Sequence, residues 1–289
     1  MARRGVMLAK PFEERFLSRW PERFYAQPKY NGRRARAIAP QGKYAVLSSE
    51  ANTLPSCRHI EAQLDECFKH YPTKPTFDGE LYVHGYSIQH LGSLISVRNN
   101  ITDESQAIEF HIFDMIDSTS TQQERIFMLD MLKDRIELRK NLRVSPYWNI
   151  TKDEVADTLN SLLKDKYEGI ILRNPTALYT SVRSSNMLKL KPRFQDSYEI
   201  LSAFEAISVE GMHKQTLGGL TVRSKSGDIF RTGAGCFSHE QRDVIWSMWL
   251  KTPELLKGQF ATVKYQELSE RKIPLQPILM SITNVSMED

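Results

Sequence analysis

Seven short runs rich in β-branched or aromatic residues, each closed by turn formers, punctuate the chain up to Pro192: RARAIA, YAVLSS, FDGELYVHG, EFHIFDMID, RVSPYW, YEGIILR and MLKLK. Such runs read as strands. Between them, apolar residues recur at helical spacing. SCRHIEAQLDECFKHY places Ile60, Leu64, Cys67 and Phe68 on one stripe, and TQQERIFMLDMLKDRIEL does the same with Ile126, Leu129, Leu132 and Ile136. TKDEVADTLNSLLKDK opens on Thr151 and carries Glu154 three residues later, the pattern of a capping box. Strands and helices mix without strict βαβ alternation, which predicts an α+β fold rather than a doubly wound sheet. After Lys191-Pro192 the texture changes. YEILSAFEAISV, LGGLTVRS, GDIFRTGAG and QFATVKYQEL are strand candidates between Gly-rich turns, with one helix-like insert, SHEQRDVIWSMWL. That pattern predicts a small all-β barrel, of which the OB-fold is the obvious member. The expected domains are therefore residues 1–192 and 193–289.

A chain of 289 residues holds one large domain or two ordinary ones, and 40% hydrophobic residues suffice for a sizeable core. The net charge of +4 fits a polyanionic partner without demanding one. Cys57, Cys67 and Cys236 are odd in number and far apart, which argues against a disulfide framework or a zinc site and for a reducing, intracellular compartment. No apolar run is long enough to span a bilayer, so no membrane association is expected. The opening MARRGVMLAKPFEER has too short an apolar stretch for a signal peptide.

A lysine is a useful nucleophile only where it can lose its proton near neutral pH, and neighbouring cations or partial burial favour that loss. In PKYNGRRARA, Lys29 precedes Arg33, Arg34 and Arg36, and Gly32 lets the backbone approach a ligand closely. Taken alone, a basic turn at a strand edge explains the stretch equally well. In FDGELY, Asp78 and Glu80 point to one side of a strand. In FHIFDMID, Phe113 could offer a face to a base. Glu168 stands at the entry of the apolar strand YEGIILR, and LKLK projects Lys189 and Lys191 to one face. Singly, each also fits a packed core residue, a turn carboxylate or a solvated strand.

In this order the motifs resemble the covalent nucleotidyltransferase superfamily: ATP-dependent DNA ligases, RNA ligases and mRNA capping enzymes. The family's lysine motif, K-x-D-G-x-R, is matched by Lys29-Tyr30-Asn31-Gly32-Arg33-Arg34, and its later motifs by FDGELY, HIFDMI, YEGIILR and LKLK. Within that superfamily, YEGIILRNPTALYTSVRSSNMLKLKP and the barrel stretch GGLTVRSKSGDIFRTGAGCFSHEQR are similar to ATP-dependent DNA ligases, so the resemblance runs from about Gln27 to about Gln266. It implies a nucleotidyltransferase domain of the ATP-grasp-like ligase type followed by an OB-fold barrel. It further implies that Lys29 attacks the α-phosphate of ATP, that AMP then passes to the 5′-phosphate of a nick, and that the 3′-hydroxyl expels it. By the match, Lys189 and Lys191 supply charge around the phosphates, while Glu168 and Glu80 hold Mg²⁺. Arg34 contacts the nucleotide, Phe113 stacks on adenine and Gln27 reads the adenine amino edge. Nicked double-stranded DNA is the implied partner, gripped by Arg193, Lys214, Arg223, Lys225 and Arg231 of the barrel, with a monomer as the default state.

Three departures stand out. Asn31 replaces the usual aspartate, as in some RNA ligases. Ser49-Glu50 stands where many DNA ligases carry Ser-Arg, so another arginine, such as Arg58, is needed for the nick phosphate. The C-terminal SERKIPLQPILMSI keeps Arg271 and Lys272 but then turns apolar. With no N-terminal DNA-binding domain, the expectation is a minimal ligase of viral or bacterial size. The alternatives are an RNA ligase, a GTP-using capping enzyme or a non-catalytic nucleic-acid-binding module.

Overall fold

The computed structural model describes residues 5–99, 101–265, 268–269 and 271–283. The chain separates into two compact units, Met1–Lys191 and Pro192–Asp289. In the first, the elements in chain order are β1 (Leu8–Pro11), α1 (Glu14–Leu17), β2 (Phe24–Lys29), β3 (Arg33–Ile38), β4 (Ala45–Ser48), α2 (Arg58–Cys67) and β5 (Phe77–Tyr82). Then come α3 (Ile88–Ser96), β6 (Glu109–Met115), α4 (Gln122–Glu137), β7 (Leu142–Val144), β8 (Trp148–Ile150), α5 (Val155–Lys164), β9 (Gly169–Arg173) and β10 (Arg183–Leu190).

The strands sort into two five-stranded sheets, ordered β1-β10-β9-β2-β8 and β4-β3-β5-β6-β7. Consecutive strands β2 and β3 lie in different sheets, so the chain crosses between them at Tyr30, Asn31 and Gly32, immediately after Lys29. A second crossing splits the expected strand RVSPYW. Its first half pairs as β7 with β6 and its last residue begins β8 against β2. Pro146 lies between them, where a residue with no N–H to give cannot continue a ladder.

Each sheet has its own apolar layer. The stripe of α2 (Ile60, Leu64, Cys67) packs with Leu129 and Ile136 of α4 and with Leu91 and Ile95 of α3 beside β3–β6. Leu162 of α5 packs with Trp20, Phe24, Ile150, Ile170, Leu172 and Leu188 of the other sheet. Thr121 closes the capping box of α4 with Glu124. The Thr151 box does not form as expected. Helix α5 starts at Val155 with Glu154 at its N-cap and no side-chain cap bond, and the Glu154 carboxylate turns back to Thr151, accepting from its backbone N–H at 2.7 Å.

A buried polar network joins the two sheets. Asp114 of β6 is fully buried and accepts from Arg125 Nε of α4 (2.8 Å), from Arg173 Nη1 of β9 (2.8 Å) and from the Met115 amide (2.9 Å). A buried carboxylate persists only when paired and fully hydrogen-bonded, and here two guanidiniums meet that need.

The second unit contains β11 (Phe194–Ile207), β12 (His213–Arg223), β13 (Ile229–Gly233), α6 (His239–Lys251), β14 (Phe260–Tyr265) and β15 (Ile278–Thr283). Its strands close into a barrel in the order β11-β12-β13-β15-β14. Strand β11 serves both neighbours by breaking its register with β12 at three places, which bends it around the barrel. Ile200, Leu217, Leu220, Val222, Val263 and Leu279 fill the interior. The glycine pair of LGGL has a steric reason: a Cβ on Gly219 would lie 2.0 Å from the Thr232 carbonyl oxygen. Gln266 and Glu267 at the end of QFATVKYQEL, and the basic start of MARRGVMLAKPFEER, lie outside the described residues. No described helix is long and apolar enough to cross a membrane.

Asp114→Ala is expected to cost about 3–5 kcal/mol, because it leaves Arg125 and Arg173 buried without their counter-ion. Urea unfolding of the full chain checks this, and a loss below about 1 kcal/mol would contradict the role given to the network.

Candidate active site

The first sheet presents three successive rows of side chains on one face. Tyr25, Arg173 and Met187 are register neighbours across β2, β9 and β10; Gln27, Ile171 and Lys189 form the next row; Lys29 and Gly169 form the third. Period-two alternation therefore puts Gln27 and Lys29 on the same side. The second sheet contributes Arg34 of β3 with Glu80 of β5 as its cross-strand partner, and Phe113 of β6. Gln27, Lys29, Arg34, Glu80, Phe113, Glu168 and Lys189 all line one cavity of about 410 Å³. Lys191 joins them through Glu168.

Glu168 is the hub. One of its oxygens accepts from Lys29 Nζ, and the other from Lys191 Nζ at 2.9 Å. Burial pushes its carboxyl up, but the Lys29 charge and the bonds from both lysines outweigh burial and hold it below the usual carboxylate range. Its backbone N–H also donates to the Lys29 carbonyl at 3.0 Å. Gly169 makes the approach possible, since a Cβ there would meet the Leu190 carbonyl oxygen at 2.3 Å. Gly32 has a similar reason: its Cβ would lie 2.4 Å from the Leu81 carbonyl and 2.7 Å from Glu80 Cγ.

Burial lowers the Lys189 ammonium, and the charges of Lys29, Arg183 and Lys191 lower it further. Lys29, Lys191 and Arg183 thus gather around Lys189, while Arg33 and Arg34, which follow Lys29 in sequence, also line the cavity. Arg34 is spent on Asp78 in a bidentate pair (2.9 and 2.5 Å), a carboxylate that also accepts from Tyr179 at 2.6 Å. Arg33 reaches Ser96 Oγ, and Arg36 packs against Gly5 so closely that a Cβ there would lie 2.1 Å from Nη1. Glu80 is pushed up to about 8, chiefly by burial, with Asp78 and Glu168 adding to the rise and Lys29 and Arg34 opposing it.

Phe113 and Gln27 form the far wall. The Phe113 ring has the Arg34 and Arg173 guanidiniums each 5.2 Å from its centroid. Gln27 is 2% exposed; it donates from Nε2 to the Phe113 carbonyl (3.0 Å) and accepts from Arg173 Nε at Oε1 (2.5 Å).

The cavity does not take in every expected residue. Arg58 is exposed at the start of α2 and does not line it, whereas Ser49, Glu50, Arg33 and Arg183 do. In the barrel, Arg193, Lys214, Arg223, Lys225 and Arg231 are all exposed; Arg223 pairs with Glu199 (3.5 Å) and Arg231 lies over Phe204. Sequence reasoning missed Asp114, Arg173 and Arg183. A lone carboxylate inside FHIFDMI, and an arginine closing YEGIILR, are the signals that could have found the first two.

Among the described residues no group of three or more His, Cys, Asp or Glu side chains could hold a metal. Three carboxylates nevertheless line the cavity, Glu50, Glu80 and Glu168, and Glu80 and Glu168 lie nearest the lysines. That donor set fits Mg²⁺, which keeps several waters and shares its shell with substrate phosphates.

The two-sheet unit with its half-buried lysine cluster, followed by a closed five-stranded barrel, defines the class: a ligase-type nucleotidyltransferase with an OB-fold. Within that class the chain belongs to the ATP-dependent DNA ligase domain family, whose model matches residues 6–191. A DNA ligase of African swine fever virus (isolate Warthog/Namibia/Wart80/1980) is 24% identical over 268 residues, covering 86% of this chain and 61% of that protein. A DNA ligase of Haemophilus influenzae is 23% identical over 171 residues, covering 57% and 59%. The chain thus spans about 61% of the length of the viral relative. A Lig E DNA ligase structure superposes with a TM-score of 0.76 at 21% identity, covering 96% of this chain and 98% of that one. The ATP-dependent DNA ligase of bacteriophage T7 in complex with ATP gives 0.57 at 14% identity, covering 96% and 98%. At these identities the structures establish the fold.

Between the ordinary carboxylate range and about 8, folded Glu80 keeps a proton that the unfolded chain releases, so its contribution to stability falls as pH rises through that window. Glu80→Gln, which does not titrate, should therefore raise the thermal midpoint of the nucleotide-free protein more at about pH 9 than at about pH 5. Equal shifts at both would contradict the assignment.

Proposed function

We propose that this chain is an ATP-dependent DNA ligase that seals nicks in duplex DNA, with Lys29 as the nucleophile. The observation that carries the reading is the cluster of Lys29, Glu168 and Lys189 lining a cavity walled by Phe113 and Gln27, with Lys191 bonded to Glu168. Lys29 Nζ, having given up its proton and its bond to Glu168, forms a bond to the α-phosphorus of ATP. The bond to the bridging oxygen breaks, and its electron pair leaves with pyrophosphate. Covalent capture splits one difficult condensation into easier displacements. Lys189 and Lys191 stand where charge gathers on the phosphates, and fixed cations act most strongly where charge develops. Phe113 offers its face to adenine and Gln27 its amide to the base edge. Arg34, locked on Asp78, is held rigidly beside the sugar-phosphate. Glu80 and Glu168 are the carboxylates that would hold Mg²⁺, which when bound supplies positive charge to the phosphate oxygens.

AMP then moves from Lys29 to the 5′-phosphate of the nick, and attack by the 3′-hydroxyl releases it as the phosphodiester closes. Arg33 and Arg183, at the cavity, are the arginines placed to meet a nick phosphate in the absence of the Ser-Arg pair. The exposed cations of the barrel suit a sequence-independent, salt-sensitive grip on backbone phosphates. An RNA ligase is the second reading, favoured by Asn31.

A nick-sealing assay with ATP and Mg²⁺ on matched DNA and RNA nicks tests this. The wild type should join the DNA nick faster, and Lys29→Ala should join neither above background. Preferential joining of RNA would transfer the assignment to the second reading. Asn31→Asp should keep self-adenylylation within about tenfold, or roughly 1.4 kcal/mol of barrier, and complete loss would contradict that.

A further inference from the structure

Gln27 is a poor reader of a purine unless something fixes it. A carboxamide presents one acceptor and one donor side by side. In one orientation its oxygen takes the 6-amino hydrogen of adenine while its N–H serves N1, a bidentate reading of the N6/N1 edge. Rotated by half a turn, the same amide offers N–H to a 6-oxo group and oxygen to a ring N–H. It then matches guanine or hypoxanthine equally well. A free glutamine at this position would therefore not discriminate.

In this protein the half-turn is blocked from both sides. The Phe113 carbonyl can only accept, so it must face the amide nitrogen. The Arg173 guanidinium can only donate, so it must face the amide oxygen. Flipping the amide would set oxygen against oxygen and N–H against N–H in a buried place, where unmatched polar groups are costly. Arg173 cannot yield, because it is 3% exposed and its Nη1 donates to Asp114 (2.8 Å) and to Gln122 Oε1 (3.2 Å). Asp114 is clamped in turn by Arg125 of α4. The orientation of one amide is thus anchored to a helix in the other sheet's layer. With two of its bonding sites used in this way, the amide keeps one oxygen lone pair and one N–H, and its side chain lines the cavity.

We propose that Arg173 is a positioning residue for base selection: by holding Gln27 in the single orientation that matches a 6-amino purine, it makes the cavity prefer ATP over 6-oxo purine nucleotides. The inference rests on the reading of this cavity as the nucleotide site and deepens it. Arg173 itself does not need to touch the nucleotide.

The test compares kcat/KM for self-nucleotidylation with ATP and with inosine triphosphate, which differs at C6 and N1 and carries no 2-amino group to clash. The wild type should favour ATP by about 10–100-fold, the worth of one bidentate base contact. Arg173→Met should collapse that ratio at least tenfold, mainly through KM. Arg173→Lys, which still offers only donors to the amide oxygen, should restore most of it. A merely structural role would lower both nucleotides by the same factor and leave the ratio intact, which would overturn the proposal. Should Arg173→Met not fold, Gln27→Met leaves the Asp114 pairs in place and should bring the ratio near one; a wild-type ratio there would equally overturn it. Label from neither nucleotide on the wild type would instead overturn the reading of the cavity, and this inference with it.

Discussion

The buried carboxylate of Asp114 is the point on which this unit turns. Its two oxygens are shared between Arg125 from a helix and Arg173 from the opposite sheet. Removing a charge from water is expensive, and the expense is recovered only when geometry is good and every lone pair is used. Both conditions hold here, so Asp114 fixes the spacing of the two sheets at the level of the cavity. The Phe113 ring, one residue earlier on β6, is placed by the same contact. Packing alone would bring two sheets together with some freedom to slide; a paired ion in the gap removes that freedom.

Charge is unevenly distributed over the cavity, and the imbalance suits its proposed ligand. Asp78 neutralises Arg34, and Glu168 is shared by two lysines, leaving Lys189 with its charge lowered in stability by neighbours of like sign. A triphosphate would relieve that repulsion. Glu80, held up by burial, has no ion pair with a cation among the described residues, which suits it to an incoming metal. The backbone enforces this arrangement at its tightest points with Gly32 and Gly169, where any side chain would strike a carbonyl oxygen.

Much of this was legible in the residues because it is local. FDGELY, EFHIFDMID and YEGIILR alternate or run apolar over strand lengths, and they form β5, β6 and β9. The one-face projection of Lys189 and Lys191 follows from period two alone. What could not be read is what depends on pairing across long separations. Strand β1 is four residues long and is held by a parallel partner some 170 residues away, and β15 hides in a stretch whose strand pattern is weak. The split of RVSPYW between sheets needs the fold to be known. So do the partners of the arginines after Lys29: local sequence put them beside the nucleophile, while Asp78, Ser96 and Gly5 claim them in space. Arg58 lies outside the cavity, since nearness in motif order is not nearness in space.

The central claim is that the Nζ of Lys29 becomes bonded to phosphorus. Peptide mapping by mass spectrometry, after the purified chain is incubated with ATP and Mg²⁺ and quenched in acid-free buffer to spare the labile bond, tests it most directly. The account predicts that the mass of an adenylyl group is carried by the peptide containing Lys29 and is released by added pyrophosphate. An unmodified Lys29 peptide, or an adenylyl group found on Lys189 or Lys191 instead, would contradict it.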